Sequence, residues 1–137
     1  MTRQTHPCDA SPAKLWELVA RPDLWSRWSP YVRGAEGLGS PEVKAGARGQ
    51  VILRGGIRVP AEITRVDPGH SWSWMVGGIE VEHTVEAAGK GSRLSMPVHA
   101  RSAPWAPAAI VYAPVVGLIA RRIVRVAERN EPSGEAG

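Results

Sequence analysis

Between Ile57 and Ala100 the chain alternates apolar and polar residues at period two in four consecutive runs. Ile57, Val59, Ala61 and Ile63 alternate with Arg58, Pro60, Glu62 and Thr64. Trp72, Trp74 and Val76 alternate with Ser71, Ser73 and Met75. Ile79, Val81, His83 and Val85 alternate with Glu80, Glu82, Thr84 and Glu86. Leu94, Met96, Val98 and Ala100 alternate with Arg93, Ser95, Pro97 and His99. Successive side chains of a strand point to opposite faces, so each run buries one face and wets the other. The intervening segments, Asp67-Pro68-Gly69, Gly77-Gly78 and Gly89-Lys90-Gly91, are short turns that join only antiparallel neighbours. The pattern therefore predicts an antiparallel meander with one polar and one buried face.

The flanking segments complete the expected order. Arg3 to Cys8 reads as a first strand, placed at an edge or an end by Pro7. Ser11-Pro12 is an N-cap followed by a proline at the first helical position, opening a helix to about Ala20. Leu15, Leu18 and Val19 share one face of it; Lys14, Glu17 and Arg21 share the other. Asp23 to Trp28 predicts a second short helix, which Pro30 stops. Tyr31 to Leu38 is a weak strand and Gly46 to Leu53 a stronger one, with Gly55-Gly56 as a two-residue hairpin turn into the next run. After the sheet, Pro104 to about Asn130 is long enough for a helix of about 40 Å, with a kink expected at Pro114. Residues 1–130 are read as a single domain, and Glu131 to Gly137, small and polar, as a disordered tail. The fold class is α+β. A long helix must bury its apolar stripe on the concave side of a curved sheet, and a gap between the two is a natural place for an apolar ligand.

Composition excludes several alternatives. A length of 137 residues suits one core. Cys8 is the only cysteine, so no intrachain disulfide forms. The histidines at 6, 70, 83 and 99 have no metal-ligand spacing, so no metal is expected. There is no G-x-S-x-G sequence and no glycine-rich phosphate loop, so neither a serine nucleophile nor a nucleotide cofactor is expected. The net charge is +4, and Arg121, Arg122, Arg125 and Arg129 cluster near a helix C-terminus, where cations complement the helix dipole. Nucleic-acid binding is not expected. Ser102 to Ala120 carries no charge, but Pro104, Pro107 and Pro114 interrupt it. It reads as a buried helix and not as a bilayer span, so no membrane partner is expected. With no apolar leader after the start, a cytoplasmic location is the expectation.

Several segments together resemble the polyketide cyclase/dehydrase branch of the START/Bet v 1-like (SRPBCC) superfamily. They are Asp9-Ala10-Ser11-Pro12, Trp16, Pro22-Asp23-Leu24-Trp25-Ser26-Arg27-Trp28-Ser29-Pro30, the Val66-Asp67-Pro68-Gly69 turn, and Glu82-His83-Thr84-Val85-Glu86 leading to Gly91-Ser92-Arg93-Leu94. The resemblance runs from Asp9 to about Glu128. It implies the helix-grip fold: a curved sheet wrapped around a long C-terminal helix, two short helices after the first strand, and an internal hydrophobic cavity. It also implies a hydrophobic small-molecule ligand or substrate and a role in cyclisation or dehydration during secondary-metabolite biosynthesis, or in carrying or sensing a lipid or other apolar metabolite; no cofactor is expected. The absence of phenylalanine and the three prolines in or near the last helix depart from the pattern.

Strand parity singles out His83. Among the inward-facing residues it alone is ionisable, and a neutral imidazole moves protons near neutral pH. It is the candidate acid/base, and a purely structural hydrogen-bonded histidine is the plain alternative. Trp72 and Trp74 share its parity and offer flat faces to a ligand or to the core. Leu53, Ile63, Val81 and Met96 complete the inward set. Trp28 and Tyr31 lie where the short helix meets the sheet. Tyr112, on the last helix, offers a hydroxyl to a ligand or to solvent. Arg54 has surface parity. Oligomeric state is left open between monomer and homodimer.

Overall fold

The computed structural model describes residues 5–76, 78–100, 104 and 106–130, and of residues 106–113 and 130 the backbone only. The first residues of the expected first strand, Gly77 and the tail 131–137 lie outside the described residues. The elements are β1 (Thr5–Cys8), α1 (Pro12–Ala20), a 3₁₀ helix (Pro22–Arg27), β2 (Val32–Glu36), β3 (Arg48–Leu53), β4 (Arg58–Asp67), β5 (Ser71–Val76), β6 (Ile79–Ala88), β7 (Gly91–Ser95), β8 (Val98–Ala100) and α2 (Ala106–Asn130). One antiparallel sheet has the order β1-β7-β6-β5-β4-β3-β2, with β8 also on β6. This is the expected α+β helix-grip architecture.

Bulges bend the sheet. Between β4 and β5 the register shifts from Ile63↔Trp74 to Arg65↔Ser73. The extra residue turns Val66 back onto the core side and increases the local twist. A second shift separates Val32↔Leu53 from Gly34↔Ile52 at the β2–β3 edge.

The structure corrects three local expectations. Leu53 N donates to Ile57 O at 2.7 Å, so the β3–β4 loop has three residues, Arg54-Gly55-Gly56. Both glycines have positive φ, 87° and 83°, which side-chain-bearing residues rarely adopt. Ile57 therefore sits at the hairpin end, 61% exposed, and does not face inward with Val59. The last run divides at Met96-Pro97 into β7 and β8, although Thr84↔Ser95 and Val81↔Val98 keep one register. Proline has no N–H for the ladder, but Pro97 O still accepts from Glu82 N at 3.0 Å. Finally, the first half of β5 is closed on both faces, since Ser71 and Ser73 are buried along with Trp72.

α1 is built as its sequence dictates. Ser11 caps it, its Oγ accepting from Lys14 N at 3.2 Å, and Pro12 opens it. The last four carbonyls of a helix lack partners within it, and here each finds one. Arg21 N donates to Glu17 O (3.2 Å) and Val43 N to Ala20 O (2.9 Å). Trp28 Nε1 donates to Leu18 O (2.9 Å) and Trp25 Nε1 to Val19 O (2.8 Å). Two tryptophans of the 3₁₀ helix thus end α1. Trp28 O in turn accepts from Arg122 Nε of α2 at 2.9 Å. Helix α2 passes through Pro114 and buries Val116, Ala120, Ile123, Val124 and Ala127. No helix among the described residues is long and apolar enough to cross a membrane.

Two stability predictions follow from this packing. Trp25→Phe and Trp28→Phe each leave a buried carbonyl without a donor. Each is expected to lower unfolding free energy by about 1–3 kcal/mol in urea denaturation; an unchanged midpoint would remove the capping role. Gly91 lies so close to β1 that an added Cβ collides with Cys8 O. Gly91→Ala is expected to cost about 1–3 kcal/mol in the same assay, whereas Gly55→Ala meets no neighbouring atom and strains only its own φ.

Candidate functional site

Strands β5 and β6 place Trp72 opposite His83 and Trp74 opposite Val81. Opposed side chains on one face of an antiparallel pair lie within contact range, so the pairing itself brings the His83 ring onto Trp72. The two rings stack with centroids 3.8 Å apart and planes 6° from parallel. Trp25, carried in by the 3₁₀ helix, also stacks on Trp72 at 5.7 Å and 9°. Trp74 stands edge-on to all three, 5.3 Å from Trp25, 5.6 Å from Trp72 and 5.8 Å from His83. Edge-on and offset-stacked arrangements are the favoured geometries of aromatic pairs. The absence of phenylalanine is thus met by tryptophans that fill the grip of the sheet.

Beside this cluster is a partly open, apolar cavity of about 50 Å³. Trp28, Trp72, Trp74, Val81, Met96 and His83, all named from the sequence, line it. Trp25, Ser29, Val32, Val116 and Ile119 line it as well. Val116 and Ile119 stand one turn apart on α2, and their spacing on the apolar stripe was the available signal for them. The other candidates lie elsewhere. Tyr31 is 59% exposed, just ahead of β2. Ile63 is buried in the main core and Leu53 packs half-buried against it, both away from the cavity wall. Tyr112 is on α2, but its side chain is outside the described residues. Arg54 is exposed in the hairpin loop.

The cavity is several times smaller than a typical small-molecule pocket of about 300–1,000 Å³. A ligand of that size would enter only by displacing wall side chains, among them Val116 and Ile119 of α2. Pro114 deprives the helix of one i→i−4 hydrogen bond two residues before Val116. A wider groove of about 790 Å³ runs outside α1, lined in part by Lys14, Glu17, Arg21 and Glu42. It is open and charged, shares no residue with the cavity, and offers an apolar molecule little gain from burial.

His83 is 3% exposed. Its Nδ1 lies 3.3 Å from Trp72 O. Burial pushes its pKa down to about 3, and the bond to Trp72 only partly opposes this. The ring is neutral at physiological pH. No carboxylate touches it among the described contacts, so the second member of an acid/base pair is not in place. Cys8 is buried, with its Sγ 3.9 Å from Val124 O, and burial pushes its thiol up, which disfavours the nucleophilic thiolate. Among the described residues no three His, Cys, Asp or Glu side chains converge as metal ligands.

Comparisons with known proteins agree with this geometry. Residues 2–131 match the family described as polyketide cyclase / dehydrase and lipid transport. The uncharacterized protein Rv2574 of Mycobacterium tuberculosis is 27% identical over 132 residues, an alignment covering 90% of this chain and 79% of that protein. DynU16 and Ara h 8.0201 are among the solved structures that share the fold. DynU16, from the dynemicin biosynthetic locus, superposes with a TM-score of 0.70 at 20% identity, covering 96% of this chain and 48% of that one. Ara h 8.0201, with a Bet v 1-like fold, gives 0.66 at 18% identity, over 94% of this chain and 97% of that one. With a family match spanning nearly the whole chain and a sheet that grips its last helix around an aromatic cavity, this protein belongs to the polyketide cyclase / dehydrase and lipid transport family.

Proposed function

We propose that the protein binds a hydrophobic small molecule against its tryptophan cluster and promotes cyclisation or dehydration of a polyketide-derived chain in secondary-metabolite biosynthesis. The observation that carries the reading is the aromatic enclosure with His83 set into it. Family membership supports the binding of a hydrophobic ligand. Flat indole faces favour a flat or conjugated ligand, and confinement in a shaped apolar cavity holds a chain in a reactive fold. In this reading His83 is the group that exchanges a proton with the bound chain, and Trp72, Trp74 and Trp28 set its orientation.

One observation favours a second reading, a carrier or sensor with no chemistry. A histidine with a pKa of about 3 is a weak base at neutral pH, far from the matched value that general acid–base catalysis favours. The two readings separate in one experiment. The protein is incubated with candidate polyketide precursors, and the extract is analysed by mass spectrometry. The catalytic reading expects an isomer or a minus-water product, formed by the wild type and lost in His83→Ala. A compound that binds and is recovered unchanged would establish the carrier instead.

The buried neutral His83 also has a consequence for stability. Its folded pKa is depressed from about 6.5 to about 3, so between those values the unfolded chain binds a proton that the folded chain does not. Stability attributable to this residue is complete above pH 6.5 and falls as pH drops towards 3, by about 1.4 kcal/mol per pH unit. Denaturation measured across this window is expected to show that slope diminished by about one proton in His83→Phe. An identical slope in the variant would mean that His83 is hydrated and charged in the folded protein.

A further inference from the structure

The cavity wall carries polar groups of defined hydrogen-bonding sense. His83 Nδ1 faces the carbonyl oxygen of Trp72 at 3.3 Å. A carbonyl oxygen only accepts, so the ring proton resides on Nδ1. With the imidazole neutral, Nε2 on the far edge of the ring holds a bare lone pair and can only accept. No described residue donates to it, and His83 lines the cavity. The second cavity-lining group is Ser29, 2% exposed. Its Oγ accepts from Tyr31 N and from Val32 N, both at 3.2 Å. Both lone pairs are engaged, and the hydroxyl proton has no acceptor among the described hydrogen bonds. Trp72 Nε1 is also without a partner, but it is sealed within the packing. Trp25 Nε1 and Trp28 Nε1 are spent on the end of α1.

We infer that the cavity selects apolar ligands bearing a hydroxyl group, a phenol or an enol, which donates to His83 Nε2. The inference rests on the hydrophobic-ligand reading above and narrows its ligand class. A ligand hydroxyl can donate to His83 Nε2, and any ligand oxygen can accept from Ser29 Oγ. A ligand carbonyl can satisfy Ser29 but supplies no proton to Nε2. A hydrocarbon leaves both wall groups unpaired, and unmet buried polar groups are the stronger source of discrimination.

The test compares 1-naphthol, its near-isostere 1-methylnaphthalene and 1-naphthaldehyde by calorimetric titration of the wild type and of His83→Phe, which keeps a flat ring on Trp72. Affinities are taken relative to each compound's partition into hydrocarbon. The wild type is expected to prefer 1-naphthol over both others by about tenfold, and His83→Phe to lose most of that preference. A second readout needs no variant. In ¹⁵N-resolved NMR of the wild-type imidazole, the proton is expected on Nδ1, and 1-naphthol but not 1-methylnaphthalene is expected to move the Nε2 resonance. Binding of all three compounds without discrimination, a preference for the aldehyde, or a proton found on Nε2 would overturn the inference while leaving hydrophobic binding intact. Binding of none of them would overturn the binding reading and this inference with it.

Discussion

Two indole N–H groups hold the arrangement together. Trp25 and Trp28 donate to the carbonyls of Val19 and Leu18, groups that the geometry of an α-helix leaves without internal partners. Buried, those carbonyls would otherwise cost stability. Answering them with side chains draws the 3₁₀ helix back against the end of α1 and fixes two large rings in the interior. From there Trp25 lies on Trp72 and Trp28 forms part of the cavity wall. The backbone of Trp28 also receives Arg122 from α2. One local requirement, a properly ended helix, thus joins both helices and places half of the aromatic enclosure.

The sheet supplies the other half through pairing. Because Trp72 faces His83 across the β5–β6 ladder, their stacking needs no separate device. The same contact determines the chemistry of the histidine. Its Nδ1 is turned to a backbone carbonyl of its partner strand, and its ring is shut away from water, so the charged form is disfavoured. Structure and electrostatics here share one cause. The apolar packing that makes the cavity suitable for a hydrophobic ligand also makes His83 a neutral hydrogen-bonding group with little basicity.

Much of this was legible in the sequence. Ser11-Pro12 announces the helix start, and Gly89-Lys90-Gly91 the hairpin between β6 and β7. The parity of β6 sets His83 among Ile79, Val81 and Val85, as found. Other features depend on contacts that no local pattern records. Ile57 continues the alternation of Val59 and Ala61, yet it ends exposed because it closes the hairpin just ahead of β4, beyond the reach of the core. Tyr31 lies near Trp28 in sequence, but the chain turns it outward. Leu53 and Ile63 share the inward face with Trp74, but their places on β3 and β4 put them in or against the main core and not on the cavity wall.

Alternation at period two, glycine turns and a long apolar stripe determined the fold, because side-chain direction in strands and helices is a local property of the backbone. Only the tertiary structure decided how much room the grip leaves, which nitrogen of His83 carries the proton, and that Trp25 and Trp28 spend their donors on α1. These depend on distances between residues far apart in the chain. Such distances are set by the packing of whole side chains against one another, and period and composition do not encode them.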